Sequence, residues 1–299
     1  MSTAPMTQDK KGGGGSSIVD GEFVLTKEDF SKIASMLHGT AGIHLPESKA
    51  TLVYSRLTKR LRALGLESFR DYCAHISSDQ GADERLKMLA ALTTNVTKFF
   101  REPHHFDHLR TVVLPPLLQA ARAGARVRIW SAGCSNGQEP YSIALTILGL
   151  LPDAANFDIK VLATDIDPVI IEEAREGVYP ASALDNVPAP LRTKWFRPVG
   201  QDGGKSFKVN AELSELVTVR ELNLIGQWPM KGTFQALFCR NVTIYFTDET
   251  REKLWSRFSK CLAPGGYLYI GHSERITGPA ARSFAPAGVT TYRWLGENS

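Results

Sequence analysis

At 299 residues and 43% apolar content the chain can bury a sizeable core as one large or two unequal domains, and a net charge of +4 makes any basic patch local. No apolar run approaches the ~20 residues of a membrane span, and the N-terminus lacks the apolar core of a secretory signal. The four cysteines, Cys73, Cys134, Cys239 and Cys261, form no C-x-x-C pair, which argues against zinc and a disulfide framework and for a cytosolic protein with reduced thiols.

Residues 1–20 are rich in Ser, Thr, Gly and Lys, with Gly12 to Gly15 in a row, and read as a disordered tail. From Phe23 the pattern turns helical. Thr26 is placed to cap a helix through Phe30, Ile33, Met36 and Leu37, with Glu28 and Asp29 favourable in its first turn; Gly39 and Gly42 break it. A second helix runs from Pro46 to Gly65, where Tyr54, Leu57, Leu61 and Leu64 define a core face. Beside that face lie Lys49, Arg56 and Arg60, flanked by Lys59 and Arg62. Residues 49–70 hold six basic residues against one acid, Glu67. Such a run is either a solvated helix face or an electrostatic docking surface for an acidic partner. A nucleic-acid footprint competes, but no aromatics are interleaved among the basic residues of this helix from Arg56 to Arg62. Helices over Ser68–Ser77 and Asp83–Leu92 complete a helical domain spanning 21–92.

Thr93 to Arg101, TTNVTKFFR, sets polar residues on one side with Phe99 and Phe100 beneath. The plain reading of Arg101 is an ion pair with an acid such as Glu102. His104 and His105 are adjacent, point apart on a helix and lack a further ligand set, so they read as structural and no metal is expected. A helix over Phe106–Ala123 leads to VRIWSAGCSNGQEPY, Val127–Tyr141, the organising stretch of the chain. Its β-branched and aromatic start reads as a buried strand, its small residues as a turn, and Pro140 onward as a helix with a buried face. Strand, glycine turn, helix is how an α/β fold brings backbone N–H groups to a nucleotide-like ligand. Ile159 to Ala163 is the next strand, ending in Asp165. An acid at that tip is either a ribose ligand or a turn acid before the helix Pro168–Arg175. It lies 28 residues past Gly137, against about 20 in dinucleotide sites, which leans away from a nicotinamide cofactor.

Between Pro180 and Val219 the text changes character: Pro188 and Pro190 interrupt, then Phe207–Val209 and Leu216–Val219 read as short strands around Gly203-Gly204. Phe234–Cys239 is a strand ending in RNVTIYF, residues 240–246, where open α/β sheets place ligands; the plain reading of Tyr245 there is core packing. Asp248–Leu262 is an amphipathic helix, Pro264-Gly265-Gly266 turns into Tyr267–Ile270, and Thr291–Leu295 is a last strand. About seven strands give a mostly parallel sheet with an antiparallel edge.

WSAGCSNGQEPYSIA, LATDID, FCRNVTIYF and PGGYLYIGHSE, with TTNVTKFFREPHHF upstream, closely resemble the chemotaxis receptor methyltransferases, the CheR family, in order and over roughly residues 25–295. The resemblance implies methyl transfer from S-adenosyl-L-methionine to glutamate side chains of chemoreceptors, with S-adenosyl-L-homocysteine as product. The implied fold class is α/β: a Rossmann-like S-adenosylmethionine-dependent methyltransferase sheet in 93–299, a small antiparallel β-subdomain inserted at about 190–220, and the N-terminal all-α domain. Positions matching Asn95, Thr97 and Arg101 are then implied to line the cofactor and substrate site. Gly133 and Glu139 would contact the cofactor, Asp165 its ribose, and Asn223 and Leu224 lie near the adenine. Asn241, Val242 and Tyr245 complete the site, Arg101 and Tyr245 as its catalytic pair. The helix bearing Lys49, Arg56, Lys59, Arg60 and Arg62 would face the acidic, Glu-rich cytoplasmic bundle of chemoreceptors, and in some members the β-subdomain grips a peptide at the receptor's C-terminus. The expected protein is a cytoplasmic monomer without nucleic acid or membrane insertion.

The chemistry agrees with the residues. A glutamate carboxylate is already ionised at neutral pH and needs no general base, so alignment and water exclusion suffice. No Ser/His/Asp or Cys/His set is apparent. R-N-V-T-I-Y in place of an N-P-P-Y-type segment counts against methylation of nucleobases. The rivals are transfer to another acceptor, such as RNA or a small acid, and a non-catalytic adaptor retaining the cofactor fold.

Overall fold

The structure, a computed structural model, describes residues 16–93, 95–200 and 204–296. The chain divides into two compact units, residues 1–38 with 45–92, and residues 39–44 with 93–299.

In the smaller unit, Ser17–Val19 (β1) pairs antiparallel with Leu25–Thr26 (β2). The tail expected to be disordered through residue 20 is thus ordered from residue 17, while residues 1–15 lie outside the described residues. Helix α1 (Lys27–Ala41) opens with the Thr26 hydroxyl accepting from the Asp29 N–H at 3.2 Å. It runs through Gly39, an expected break, because a glycine in open space weakens a helix by only about 1 kcal/mol. Gly42, at φ +72°, follows its end. After a turn of 3-10 helix at Glu47–Lys49, α2 (Ala50–Leu64) buries Val53, Leu57 and Leu61 and is capped by left-handed Gly65. Leu64, expected on the core face, is 37% exposed, since it is the helix's last residue, beyond the packed stripe. Ser68 caps α3 (Phe69–Ser77), whose Phe69, Tyr72, Cys73 and Ile76 are buried, as are Met88 and Leu89 of α4 (Ala82–Leu92).

The larger unit opens with α5 (Pro103–His108), a π-helical turn at Leu109–Val113, and α6 (Leu114–Arg122). One continuous helix was the expectation; Pro115 and Pro116 lack the N–H groups that an α-helical ladder requires there, and the backbone widens just before them. Then come β3 (Val127–Ala132), α7 (Gln138–Leu150), β4 (Ile159–Asp165) and α8 (Pro168–Glu176). Next are β5 (Val178–Pro180), α9 (Ala189–Trp195), β6 (Phe196–Val199), β7 (Ser206–Val209) and α10 (Ala211–Glu215). The unit closes with β8 (Val217–Glu221), β9 (Phe234–Cys239), α11 (Asp248–Cys261), β10 (Leu262–Ile270), β11 (Phe284–Gly288) and β12 (Thr291–Trp294).

Seven strands form one sheet in the order β11-β12-β10-β9-β3-β4-β8. The five from β10 to β8 are parallel, and β12 and β11 add an antiparallel edge. Neighbouring residues serve opposite faces: Ile129, Phe238 and Tyr269 join one core, while Trp130, Leu237 and Leu268 join the other with Trp255 and Phe258. A parallel sheet buried on both faces explains why its strands read as continuous apolar runs. Burying each of these large side chains contributes about 1.5–3 kcal/mol.

The β-subdomain is a three-stranded antiparallel sheet in the order β5-β7-β6, covering 178–209. This corrects the expected placement at about 190–220. Leu216–Val219 belongs to the main sheet, since Val217–Glu221 pairs parallel with Val161–Asp165. A short apolar strand carries no local sign of its neighbour.

Candidate functional site

Gly133, Asp165, Asn223 and Asn241 lie at or just past the carboxyl ends of β3, β4, β8 and β9, where parallel α/β sheets bind ligands. After β3 the chain turns through Gly133 and Gly137, at φ +80° and +92°. A side chain at Gly133 would place its Cβ 2.3 Å from Val242 Cγ2, so the two loops meet only because this residue is glycine. Ser135, in the same turn, is also left-handed.

Asp165, at the tip of β4, accepts the Ser135 N–H on one oxygen at 2.8 Å and the Ile166 and Asp167 N–H groups on the other at 2.8 and 3.2 Å. Burial raises its carboxyl above the ordinary range, opposed by those three N–H groups. Asp167 caps α8 and takes a 3.1 Å hydrogen bond from the side chain of Asn95, whose carbonyl accepts from Ser135 Oγ at 2.9 Å. The segment before α5 is thereby tied to the glycine turn.

Glu139, in the first turn of α7, is buried. It accepts from Ser131 Oγ at 2.7 Å and from Arg240 Nη1 at 3.0 Å. Burial raises its carboxyl; Arg240 and Ser131 work against that. Arg240, at the end of β9, also faces Glu102 at 3.3 Å and donates to the backbone carbonyl of Arg101. One buried guanidinium thus joins α7, β9 and the loop carrying Arg101. Phe100 and Glu102, on either side of Arg101, hold φ of 52° and 57°. Such backbone costs on the order of 1–3 kcal/mol per residue and persists where its surroundings over-determine it.

The expected Arg101–Glu102 pair does not form. Glu102 is taken by Arg240 and by His272 at 3.2 Å, and these hold its carboxyl below the ordinary range although burial pushes the other way. The Arg101 side chain bonds the Val96 carbonyl at 3.0 Å, and no described carboxylate pairs with it. Thr97 and Tyr245 are half-buried, with Tyr245 in a 3-10 turn. Asn223 is engaged: its amide donates to the Thr40 carbonyl at 2.6 Å and its oxygen accepts from Ile225 N–H at 3.0 Å. Leu224 packs in the core with Trp130 and Phe258.

His105 is fully buried, with Nε2 bonded to Thr290 Oγ1 at 2.9 Å. Burial, then the nearby Arg240 charge, lowers its pKa to about 3. It therefore stays neutral while the unfolded chain's histidine, near 6.5, protonates. From this group no stability is lost above pH 6.5; between 6.5 and about 3 folding loses about 1.4 kcal/mol per pH unit. Urea unfolding at pH 7.5 and 5.5 is expected to show an acid-side loss larger by about 1 kcal/mol in the wild type than in His105→Asn. An equal loss in both would refute it.

Reading from sequence missed Arg240, Glu274, Ser131 and Asp167. The signal was there for the first two: Arg240 directly follows an apolar parallel strand, in FCRNV, and Glu274 closes the polar turn after another, in GHSE.

The docking candidates lie in the smaller unit and differ among themselves. Arg60 makes a two-pronged pair with buried Glu84 at 2.9 and 2.8 Å, which also accepts from Tyr72 at 3.0 Å. Arg62 pairs with Glu22, and Arg56 donates to the Ala91 carbonyl at 3.1 Å. Lys49 and Lys59 are exposed.

S-adenosylmethionine, the group implied by the resemblance, fits the residues present. Among the described residues Asn241 Oδ1 is a buried acceptor with no partner, and Glu139 and Asp165 are acids beside the glycine turn, a setting that would suit a sulfonium cation.

Comparison with known proteins follows the division of the chain. The family model described as CheR methyltransferase, SAM binding domain, matches residues 95–293, and that described as CheR methyltransferase, all-alpha domain, matches residues 28–93. A probable chemotaxis protein methyltransferase of Rhizobium etli is 56% identical, the match covering 87% of this chain and 97% of the relative. Chemotaxis protein methyltransferase 2 of Pseudomonas aeruginosa is 43% identical over 91% of this chain and 94% of its own. The chemotaxis protein methyltransferase of Escherichia coli is 40% identical, with 90% and 91% covered.

Proposed function

We propose that this chain, which belongs to the CheR methyltransferase family, methylates the side-chain carboxylates of glutamates in chemoreceptors, giving glutamate methyl esters and S-adenosyl-L-homocysteine. As a member of that family it is an S-adenosylmethionine-dependent methyltransferase of chemotaxis. Among the described residues no helix is long and apolar enough to cross a membrane. The site would meet the receptor's helical bundle in the cytoplasm.

The observation that carries the carboxylate reading is the guanidinium of Arg101, held on a strained loop and paired with no described carboxylate. A planar fork of donors suits an anionic carboxylate. When bound, S-adenosylmethionine supplies an electrophilic methyl group on a sulfonium. Asn95, Thr97, Gly133, Glu139, Asp165, Asn223, Leu224, Asn241 and Val242 would hold it. Glu139 and Asp165 favour the cationic form over the neutral product. Arg101 would grip and align the acceptor carboxylate, Tyr245 would help orient it, and no side chain need remove a proton.

Transfer of labelled methyl to a receptor cytoplasmic fragment, followed by mild alkali, tests this reading. Label released as volatile methanol is expected. Alkali-stable label would mean N- or S-methylation and overturn it.

On this proposal the receptor docks on the basic residues of α2 and on Lys49 just before it. Lys49→Glu with Lys59→Glu is expected to weaken binding of an acidic receptor bundle about tenfold, more so at low salt, with stability within about 0.5 kcal/mol of wild type. Arg60→Ala, which strands buried Glu84, is expected to destabilise by about 3–5 kcal/mol instead. Binding titrations and urea unfolding separate the two; unchanged affinity in the lysine pair would remove the docking role. At the subdomain, β6 is an edge strand pairing with β7, a geometry that can accept an extended receptor C-terminal peptide.

A further inference from the structure

We infer that Glu274 is the positioning residue of the loop Asn241–Thr243, and that its carboxylate sets the affinity for S-adenosylmethionine without touching it. The inference rests on the reading that Asn241 and Val242 contact the cofactor.

Glu274 is 3% exposed and lies just past the end of β10. One oxygen accepts from the Val242 N–H at 3.1 Å, the Thr243 N–H at 2.8 Å and the Thr243 hydroxyl at 2.7 Å. The other accepts from the Asn241 N–H at 2.9 Å and the Gly271 N–H at 2.5 Å. Four backbone donors and a hydroxyl thus converge on one carboxylate. The reason lies in the topology. Beyond the paired ends of β9 and β10 the backbone N–H groups leave the ladder, and buried donors need an acceptor.

That acceptor also fixes a conformation the loop would not adopt alone. Asn241 is left-handed at φ 60°, which asparagine tolerates but does not prefer. Gly271 lets the loop sit close: a Cβ there would fall 2.5 Å from Asn241 Nδ2 and 2.9 Å from Glu274 Oε2. On the opposite side, Val242 presses on Gly133 of the first glycine turn. Glu274 therefore holds the backbone, the backbone aims Asn241 with its partnerless buried Oδ1, and Val242 seats against the turn after β3.

Only an ionised carboxylate offers acceptors on both oxygens; glutamine would turn an NH₂ toward at least two N–H groups. Glu274→Gln in the full chain is expected to raise the Kd and KM for S-adenosylmethionine about tenfold or more, leaving the KM for a receptor fragment within about threefold. Glu274→Asp keeps the charge but withdraws it by one methylene, and is expected to fall between the two. Should Glu274→Gln fail to fold, Glu274→Asp decides by the same titration. Cofactor Kd values within about twofold of wild type, even with a lowered Tm, would overturn the proposal and leave Glu274 a support of the fold alone. Failure of the unaltered chain to bind S-adenosylmethionine would instead overturn the cofactor reading, and this inference with it.

Discussion

Arg101→Ala is expected to slow methyl transfer to receptor about a hundredfold or more while S-adenosylmethionine still binds. Among the described residues its side chain bonds the carbonyl of exposed Val96, so its removal unpairs no buried group. The loop itself is held by other means: the Arg240 bond to the Arg101 carbonyl, and the Phe100 N–H bond to Ser142 Oγ at 2.9 Å. What is lost is the fork of donors for the acceptor carboxylate. Arg101→Lys keeps the charge without the fork and is expected to recover a minor part of the rate. Steady-state kinetics with a receptor fragment, beside a cofactor titration, reads both. Unchanged turnover in Arg101→Ala would sink the assignment.

Arg240→Ala is expected to destabilise the protein by about 3–5 kcal/mol, a fall in Tm on the order of 10 °C. Arg240 is 6% exposed and lies between two acids, Glu139 and Glu102, at 3.0 and 3.3 Å. Its removal leaves two carboxylates in a buried setting with no cation between them, and their mutual repulsion adds to the desolvation of each. Adding Glu139→Gln to Arg240→Ala removes one of the stranded charges and is expected to restore part of the stability. Calorimetric unfolding of the single and double variants measures this. A double variant no more stable than the single would show that the Glu139–Arg240 pair is not what is lost.

Much of this site is legible before folding is considered. The apolar run into Gly133 marks a strand followed by a tight turn, because alternation and small residues report local burial and local φ. Asp165 and RNV, residues 240–242, are legible for the same reason: polar residues directly after an apolar strand stand at its carboxyl end. The roles of these residues are less legible. Asp165 and Asn223 each spend side-chain oxygens on nearby N–H groups, and a linear reading weighs a polar residue as a ligand without knowing which donors turn toward it.

By itself the sequence determined the class of architecture: continuous apolar strands alternating with helices can be buried only as a parallel sheet covered on both faces. It also determined the glycine turn, the helical N-terminal domain and the basic run on α2, all properties of residues near one another along the chain. The tertiary structure alone decided which charges cancel. Arg60 is spent on Glu84, 24 residues away, and Arg240 on Glu139, 101 residues away; Arg240 also takes Glu102, which leaves Arg101 without that acid. It alone decided that Val217–Glu221 extends the main sheet and leaves the β-subdomain to 178–209. The physical reason is common to both: ion pairing and strand pairing depend on distances in space between residues far apart in the chain, and periodicity along the chain carries no information about those distances.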